Sequence, residues 1–195
     1  MSKLSRIWLI LALVVLLPVA GQAAQKELLA VPRNDLPGLT NFAKVSDGLY
    51  RGAQPEPAGL LELKKMGVKT IINLRAKHTD EPILAGLGFK YVSIPISSWN
   101  LDEEDVVSFL QVVTNPANQP VFVHCQYGSD RVGVMVAVYR MYAQNWGKKD
   151  ALAELNNFGF HEVWVNLKSY LNYVDLRRLK DEVNKAMPPE IKVVK

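Results

Sequence analysis

The sequence predicts an α/β fold built on a central, mostly parallel sheet of four to five strands flanked by helices. Three observations carry this. Short apolar runs rich in β-branched residues, at 68–74, 89–96 and 121–123, alternate with segments of helical periodicity, the order that builds a parallel sheet through helical crossovers. The run at 121–123 passes within a few residues into a long apolar helical stretch at 131–144. The chain has 195 residues, 49% hydrophobic and 22% charged. Those proportions support one domain with a sizeable core and exclude disordered, collagen-like and low-complexity chains.

The first 23 residues read as a secretory signal peptide. Lys3 and Arg6 make a basic start, residues 7–17 are apolar, Pro18 ends the run, and Gly21 and Ala23 fit a small-x-small cleavage site. The apolar run is shorter than the ~20 residues that span a bilayer, so the reading is a cleaved signal, a periplasmic or secreted protein, and no membrane span after cleavage. Losing Lys3 and Arg6 takes the formal net charge from +4 to +2. With no dense Lys/Arg stripe and no zinc spacing, nucleic-acid binding is not expected. One cysteine in an oxidising compartment excludes an internal disulfide and a cysteine-based zinc site. The carboxylates lack metal-ligand spacing, so neither metal nor cofactor is expected.

Residues 24–40 read as an irregular lead-in, 41–180 as the folded domain and 181–195 as a tail that frays from Pro188. Residues 45–51 form a turn entering a short strand. Residues 55–66 carry Leu60, Leu61 and Leu63 before Gly67, a short helix with a glycine stop. Residues 68–74 and 89–96 are core strands, separated by a loop or short helix at 78–86. A loop at 97–101 leads to Asp102, Glu103, Glu104 and Asp105, carboxylates suited to the positive end of a helix that runs to Val113. After a loop at 116–120 come strand 121–123, a turn at 128–130 and the buried helix 131–144. Two more helices are expected at 148–157 and 165–179.

The chemistry concentrates in His124-Cys125-Gln126-Tyr127-Gly128-Ser129-Asp130-Arg131. A strand that turns straight into a helix leaves the first helical N–H groups unpartnered. Coiled about one point, the amides of Gln126, Tyr127, Gly128, Ser129, Asp130 and Arg131 form an anion nest, reinforced by the helix dipole. Gly128 allows the curl. Arg131, in the first turn, can reach back with a planar fork suited to two phosphate oxygens. Cys125 sits in the same positive field, which favours a thiolate able to attack phosphorus in line.

This loop resembles the Cys-x5-Arg signature of the protein tyrosine phosphatase superfamily, and more narrowly bacterial, exported dual-specificity-like phosphatases. The resemblance spans residues 41–175. It includes Gly48-Leu49-Tyr50-Arg51-Gly52-Ala53-Gln54-Pro55, Thr70-Ile71-Ile72-Asn73-Leu74-Arg75 and Phe158-Gly159-Phe160-His161-Glu162. It implies a Cys-based phosphatase fold and a metal-free phosphomonoesterase working through a phosphocysteine. Cys125 would be the nucleophile, Arg131 and the backbone of 126–131 the phosphate binders, and His124 a support for the thiolate.

Two positions depart from the pattern. Where the family carries a Ser or Thr hydroxyl after the arginine, this chain has Val132, which would slow hydrolysis of the intermediate. Where the general acid is expected after the second core strand stand Ser98 and Trp99. Asp102, a few residues late, and Asp130, inside the loop as in phosphoinositide-active branches, are equal candidates for the acid. Glu103, Glu104 and Asp105 read as a charged helix start facing water. Arg51 and Arg75 read as structural ion pairs, His78 as a solvated loop residue and His161 as a brace near the site. Tyr127 and Trp99 read either as a pocket rim or as packing.

The leading expectation is a phosphatase acting on phosphotyrosine proteins or small phosphomonoesters as a monomer. Inositol phosphates or phosphoinositides are the alternative substrates. A slow phosphate-binding pseudophosphatase and a rhodanese-like sulfurtransferase are the competing classes, the latter disfavoured by Gly128 and Arg131.

Overall fold

The computed structural model describes residues 29–97 and 99–194. The expected signal peptide, the start of the lead-in and Ser98 lie outside the described residues. The elements run β1 (Ala43–Ser46), β2 (Leu49–Gly52), α1 (Pro57–Lys65), β3 (Thr70–Arg75), α2 (Glu81–Leu84), β4 (Lys90–Ile96), α3 (Glu103–Val113), β5 (Val121–His124), α4 (Asp130–Ala143), α5 (Lys148–Asn157), α6 (Val165–Tyr173), α7 (Leu176–Lys185) and β6 (Lys192–Val193).

One sheet has the order β1-β2-β5-β3-β4-β6. The four inner strands are parallel neighbours, and β1 and β6 add antiparallel edges. The expectation of four to five strands is thus corrected to six. Both additions are short. β1 joins β2 through the tight Asp47-Gly48 turn, and β6 is two exposed residues with no apolar pattern to read.

Alternate residues of β3 serve opposite faces of the sheet. Ile71 packs with Leu60, Leu63, Phe89 and Phe122 under α1 and α2. Ile72 and Leu74 pack into the larger cluster with α3 to α7. Helix α4 buries eleven of its fourteen residues, which places it at the centre of that cluster and explains its nearly all-round apolar sequence. Gly67 ends α1 with φ +78°, as a glycine stop requires.

The single helix expected at 165–179 is two. Asp175 caps α7 by accepting from the amides of Arg177 and Arg178, so the helical pattern restarts there. Helix α7 then continues through the boundary expected at residue 181. The Gln111 amide donates to the carbonyls of Val183 and Ala186, tying the end of α7 to α3. The tail expected to fray instead returns, and β6 pairs with Lys90 and Tyr91 of β4. No described helix is long and apolar enough to cross a membrane.

The carboxyl ends of the parallel strands share one edge, where α/β sheets place ligands. In register, Gly52 lies beside His124 and Asn73 beside His124 on its other side. The residues that follow β5 therefore start level with Ala53 and Leu74.

Candidate active site

Cys125 follows β5 directly and is 2% exposed, the floor of the loop rather than its rim. Gln126 and Tyr127 are exposed, and Ser129 and Asp130 are buried at the entrance to α4. Gly128 has φ +72°, a conformation L side chains rarely adopt. A Cβ there would stand 2.5 Å from the Gly52 carbonyl carbon and 2.6 Å from the Ala53 nitrogen. The loop thus rests against the end of β2 so closely that only glycine fits.

The polarity of the loop follows from where its carbonyls are held. Gln126 O accepts from the Gln54 amide at 3.4 Å. Tyr127 O accepts from Asn41 Nδ2 at 3.0 Å and Gly128 O from the Arg51 guanidinium at 2.9 Å. Ser129 O takes the Gly133 amide at 2.8 Å. With these carbonyls turned outward, the amides of residues 126–131 find no acceptor among the described residues. Unpartnered amides gathered at a helix start are an anion site.

Arg131 returns across the strand ends. Its Nη1 donates to Leu74 O at 3.3 Å and Ile96 O at 3.4 Å. Because Leu74 is level with Cys125, these bonds hold the guanidinium beside the loop, and the rest of its fork meets no acceptor among the described residues. Val132 is fully buried, so no hydroxyl follows the arginine. The Ser129 hydroxyl lies 3.5 Å from Tyr127 O within the loop itself.

Arg51 is fully buried and corrects an expectation. Rather than a structural ion pair, its guanidinium braces the Gly128 carbonyl and lies 3.5 Å over the Phe158 ring. Burial pushes it down to about 9, opposed by the charges of Glu154 and Cys125. It stays charged at neutral pH. Arg75 likewise bonds an amide, donating to Gln54 Oε1 at 2.9 Å.

His124, fully buried, has Nε2 2.7 Å from Asp80 Oδ2 and Nδ1 3.4 Å from the Cys125 carbonyl. The other Asp80 oxygen accepts from Gln54 Nε2 at 3.0 Å, and Asp80 is 2% exposed. A polar layer therefore lies beneath the loop.

The two acid candidates separate. Asp130 is 8% exposed, inside the loop, and Oδ1 accepts from the His161 amide at 2.8 Å with His161 Nδ1 at 3.1 Å. His161 is thus the brace expected of it. Asp102 is exposed on the start of α3, its carboxylate taken by Asn100 Nδ2 at 2.8 and 2.9 Å. The structure holds Asp130 within the Cys125 loop and gives Asp102 no bond to that loop among the described residues. Asp105, expected to face water, is half-buried. Burial foremost raises its carboxyl, helped by the charges of Asp102 and Glu104. His78 is exposed, as expected. Trp99, 71% exposed, meets Trp164 edge to face at 4.8 Å, and Tyr127 is 65% exposed.

Asp80, Asn41 and Gln54 are the positions that reading the residues missed. Gln54 sat in the quoted Gly48-to-Pro55 segment, whereas nothing in the spacing marked Asp80 or Asn41.

Comparison with known proteins agrees with this geometry. The family model described as "DSP-PTPase phosphatase fused to NAD+ Kinase" matches residues 37–172. The dual specificity protein phosphatase TpbA of Pseudomonas aeruginosa is 33% identical over 121 residues, 62% of this chain and 55% of that protein. The chain thus spans about half the length of that curated relative. An inositol diphosphatase from Arabidopsis thaliana is 26% identical over 148 residues, 72% of this chain and 74% of that protein. The crystal structure of a Cys-to-Ser variant of P. aeruginosa TpbA in complex with phosphotyrosine is similar at a TM-score of 0.70, with 25% identity over 83% of this chain and 99% of that one. The loop at 124–131, the sheet that presents it and the matched family model together place this chain in the DSP-PTPase family, the dual-specificity-like branch of the protein tyrosine phosphatases.

Proposed function

We propose that the protein hydrolyses phosphomonoesters through a phosphocysteine intermediate on Cys125. The observation that carries this is the loop whose carbonyls are all held outward, leaving six amides and the Arg131 fork for a phosphoryl group. In the first step Cys125 Sγ attacks phosphorus in line and the bond to the leaving oxygen breaks. In the second, water attacks phosphorus, the P–S bond breaks and the thiolate and phosphate are released. Wild-type protein will turn over p-nitrophenyl phosphate in excess EDTA, and Cys125→Ser will lose at least ~10⁴-fold in kcat while still binding phosphate. Equal turnover by the two proteins would end the proposal.

Asp130 supplies the proton to the leaving group and recovers it from the attacking water. The His161 amide donates to Oδ1 at 2.8 Å, and His161 Nδ1 lies 3.1 Å from both carboxyl oxygens, which holds the group at the loop. Asp130→Asn will lose about 10²–10³-fold on alkyl phosphates and far less on p-nitrophenyl phosphate, whose leaving group needs no proton. Asp102→Asn will change neither. A leaving-group-dependent loss in Asp102→Asn instead would reassign the acid.

Phosphotyrosine proteins are the first substrate class, supported by the phosphotyrosine complex of the TpbA variant and by exposed Tyr127 on the loop. Inositol phosphates are the second reading, favoured by Asp130 within the loop and by the inositol diphosphatase relative. Buried Val132 favours slow breakdown of the phosphocysteine; a burst of one equivalent before steady turnover will show it. Residues 1–23 support export to the periplasm or medium, where the protein acts as a monomer.

A further inference from the structure

We infer that Asp80 is a positioning residue of the reaction, acting through His124 as the counter-ion of a buried imidazolium beneath Cys125; the inference rests on the phosphatase reading above.

Arg75 can only donate, so the atom of Gln54 it meets at 2.9 Å is the amide oxygen. The Gln54 nitrogen is then the group that faces Asp80 Oδ1 at 3.0 Å and donates to it. Asp80 therefore accepts on Oδ1, and its Oδ2 lies 2.7 Å from His124 Nε2. On the other side of the ring, Nδ1 faces the Cys125 carbonyl oxygen. With Asp80 ionised, both ring nitrogens face oxygens that accept, and only the imidazolium carries a proton on each. A buried cation needs a buried partner. The His124 side chain is 0% exposed and that of Asp80 is 3% exposed.

An imidazolium one residue from Cys125 attracts negative charge on its sulfur, as does the buried guanidinium of Arg51. Asparagine at 80 keeps an oxygen for the ring but removes the charge, so the ring sheds a proton and the thiolate loses that support. The amide cradle itself does not depend on Asp80.

The test combines kinetics with ¹⁵N NMR of the histidine rings, of which the chain has three. In the wild-type protein at neutral pH, His124 will show two protonated ring nitrogens. In Asp80→Asn it will show one. kcat will fall on the order of 10- to 100-fold, the cost of losing the carboxylate behind a ligating histidine in metal sites. KM will stay near wild type, and Asp80→Glu will restore part of kcat and the second ring proton. A His124 ring with one bare nitrogen in the wild type overturns the inference without any variant having to fold. So does wild-type kcat in Asp80→Asn. The ring signals are read without turnover. A wild type inactive on every phosphomonoester therefore refutes the phosphatase reading, whereas a singly protonated His124 refutes this one.

Discussion

Arg131→Lys will lower kcat/KM on p-nitrophenyl phosphate by about 10³-fold, the scale seen when a transition-state arginine or oxyanion donor is removed. Charge is conserved in this change, so the loss reports geometry. The guanidinium spends one nitrogen on the carbonyls of Leu74 and Ile96, at 3.3 and 3.4 Å. It still keeps a planar edge for two phosphoryl oxygens. A lysine ammonium that satisfied those same carbonyls would have no second edge, and one that reached the phosphoryl group would leave the strand ends unpaired. Orthovanadate should weaken in parallel, since it occupies the same cradle. Retention of activity within tenfold would mean that Arg131 serves the strand ends and not the substrate.

Gly128→Ala will both unfold more easily and lose the anion site. Two costs add at this position. The left-handed φ of +72° costs about 1–2 kcal/mol for an L residue. The new Cβ would also press on backbone atoms of Gly52 and Ala53 at 2.5–2.6 Å, and backbone in a sheet cannot swing aside as a side-chain tip can. Forced overpacking adds about 1–3 kcal/mol, for a total of about 3 kcal/mol and a fall in Tm of roughly 6–12 °C. Gly67→Ala is the control that separates the two costs. Its φ is +78°, yet nothing lies within 4 Å of the added Cβ. Only the conformational cost applies there, about 1–2 kcal/mol. Differential scanning calorimetry of the two variants, with vanadate titration of each, checks both parts. Equal losses would show that the contact with β2 carries no energy.

The strands and helices that carry the strongest periodicity were legible. Strands β3, β4 and β5 lie within or close to the apolar runs, and α5 matches its expected bounds, because local pattern and burial agree there. The edges were not. The residues of β6 have no pattern of their own and become a strand only because β4 offers them an unpaired edge. The break between α6 and α7 depended on one Asp175 side chain winning the amides of Arg177 and Arg178. In the site, the Cys125-to-Arg131 spacing was readable because a nest is built from consecutive residues. The supports were not readable, because Asn41, Arg51, Gln54 and Asp80 approach the loop from 44 to 86 positions away. The bonding of buried Arg51 to a carbonyl and an aromatic face leaves no mark in spacing, so its sequence context points to an ion pair instead.

The sequence by itself determined the nucleophile's loop and the class of fold that presents it. Both follow from short-range rules: a strand entering a helix, a glycine where the chain must curl, an arginine in the first helical turn. Where the two candidate carboxylates stand was decided only in three dimensions. Asp102 and Asp130 are alike in sequence, but the fold commits the first to Asn100 in solvent and delivers the second, held by His161, into the loop. The Asp80–His124 contact under Cys125 was decided the same way, since the two meet only when β3 and β5 pair and carry their ends to the same edge of the sheet.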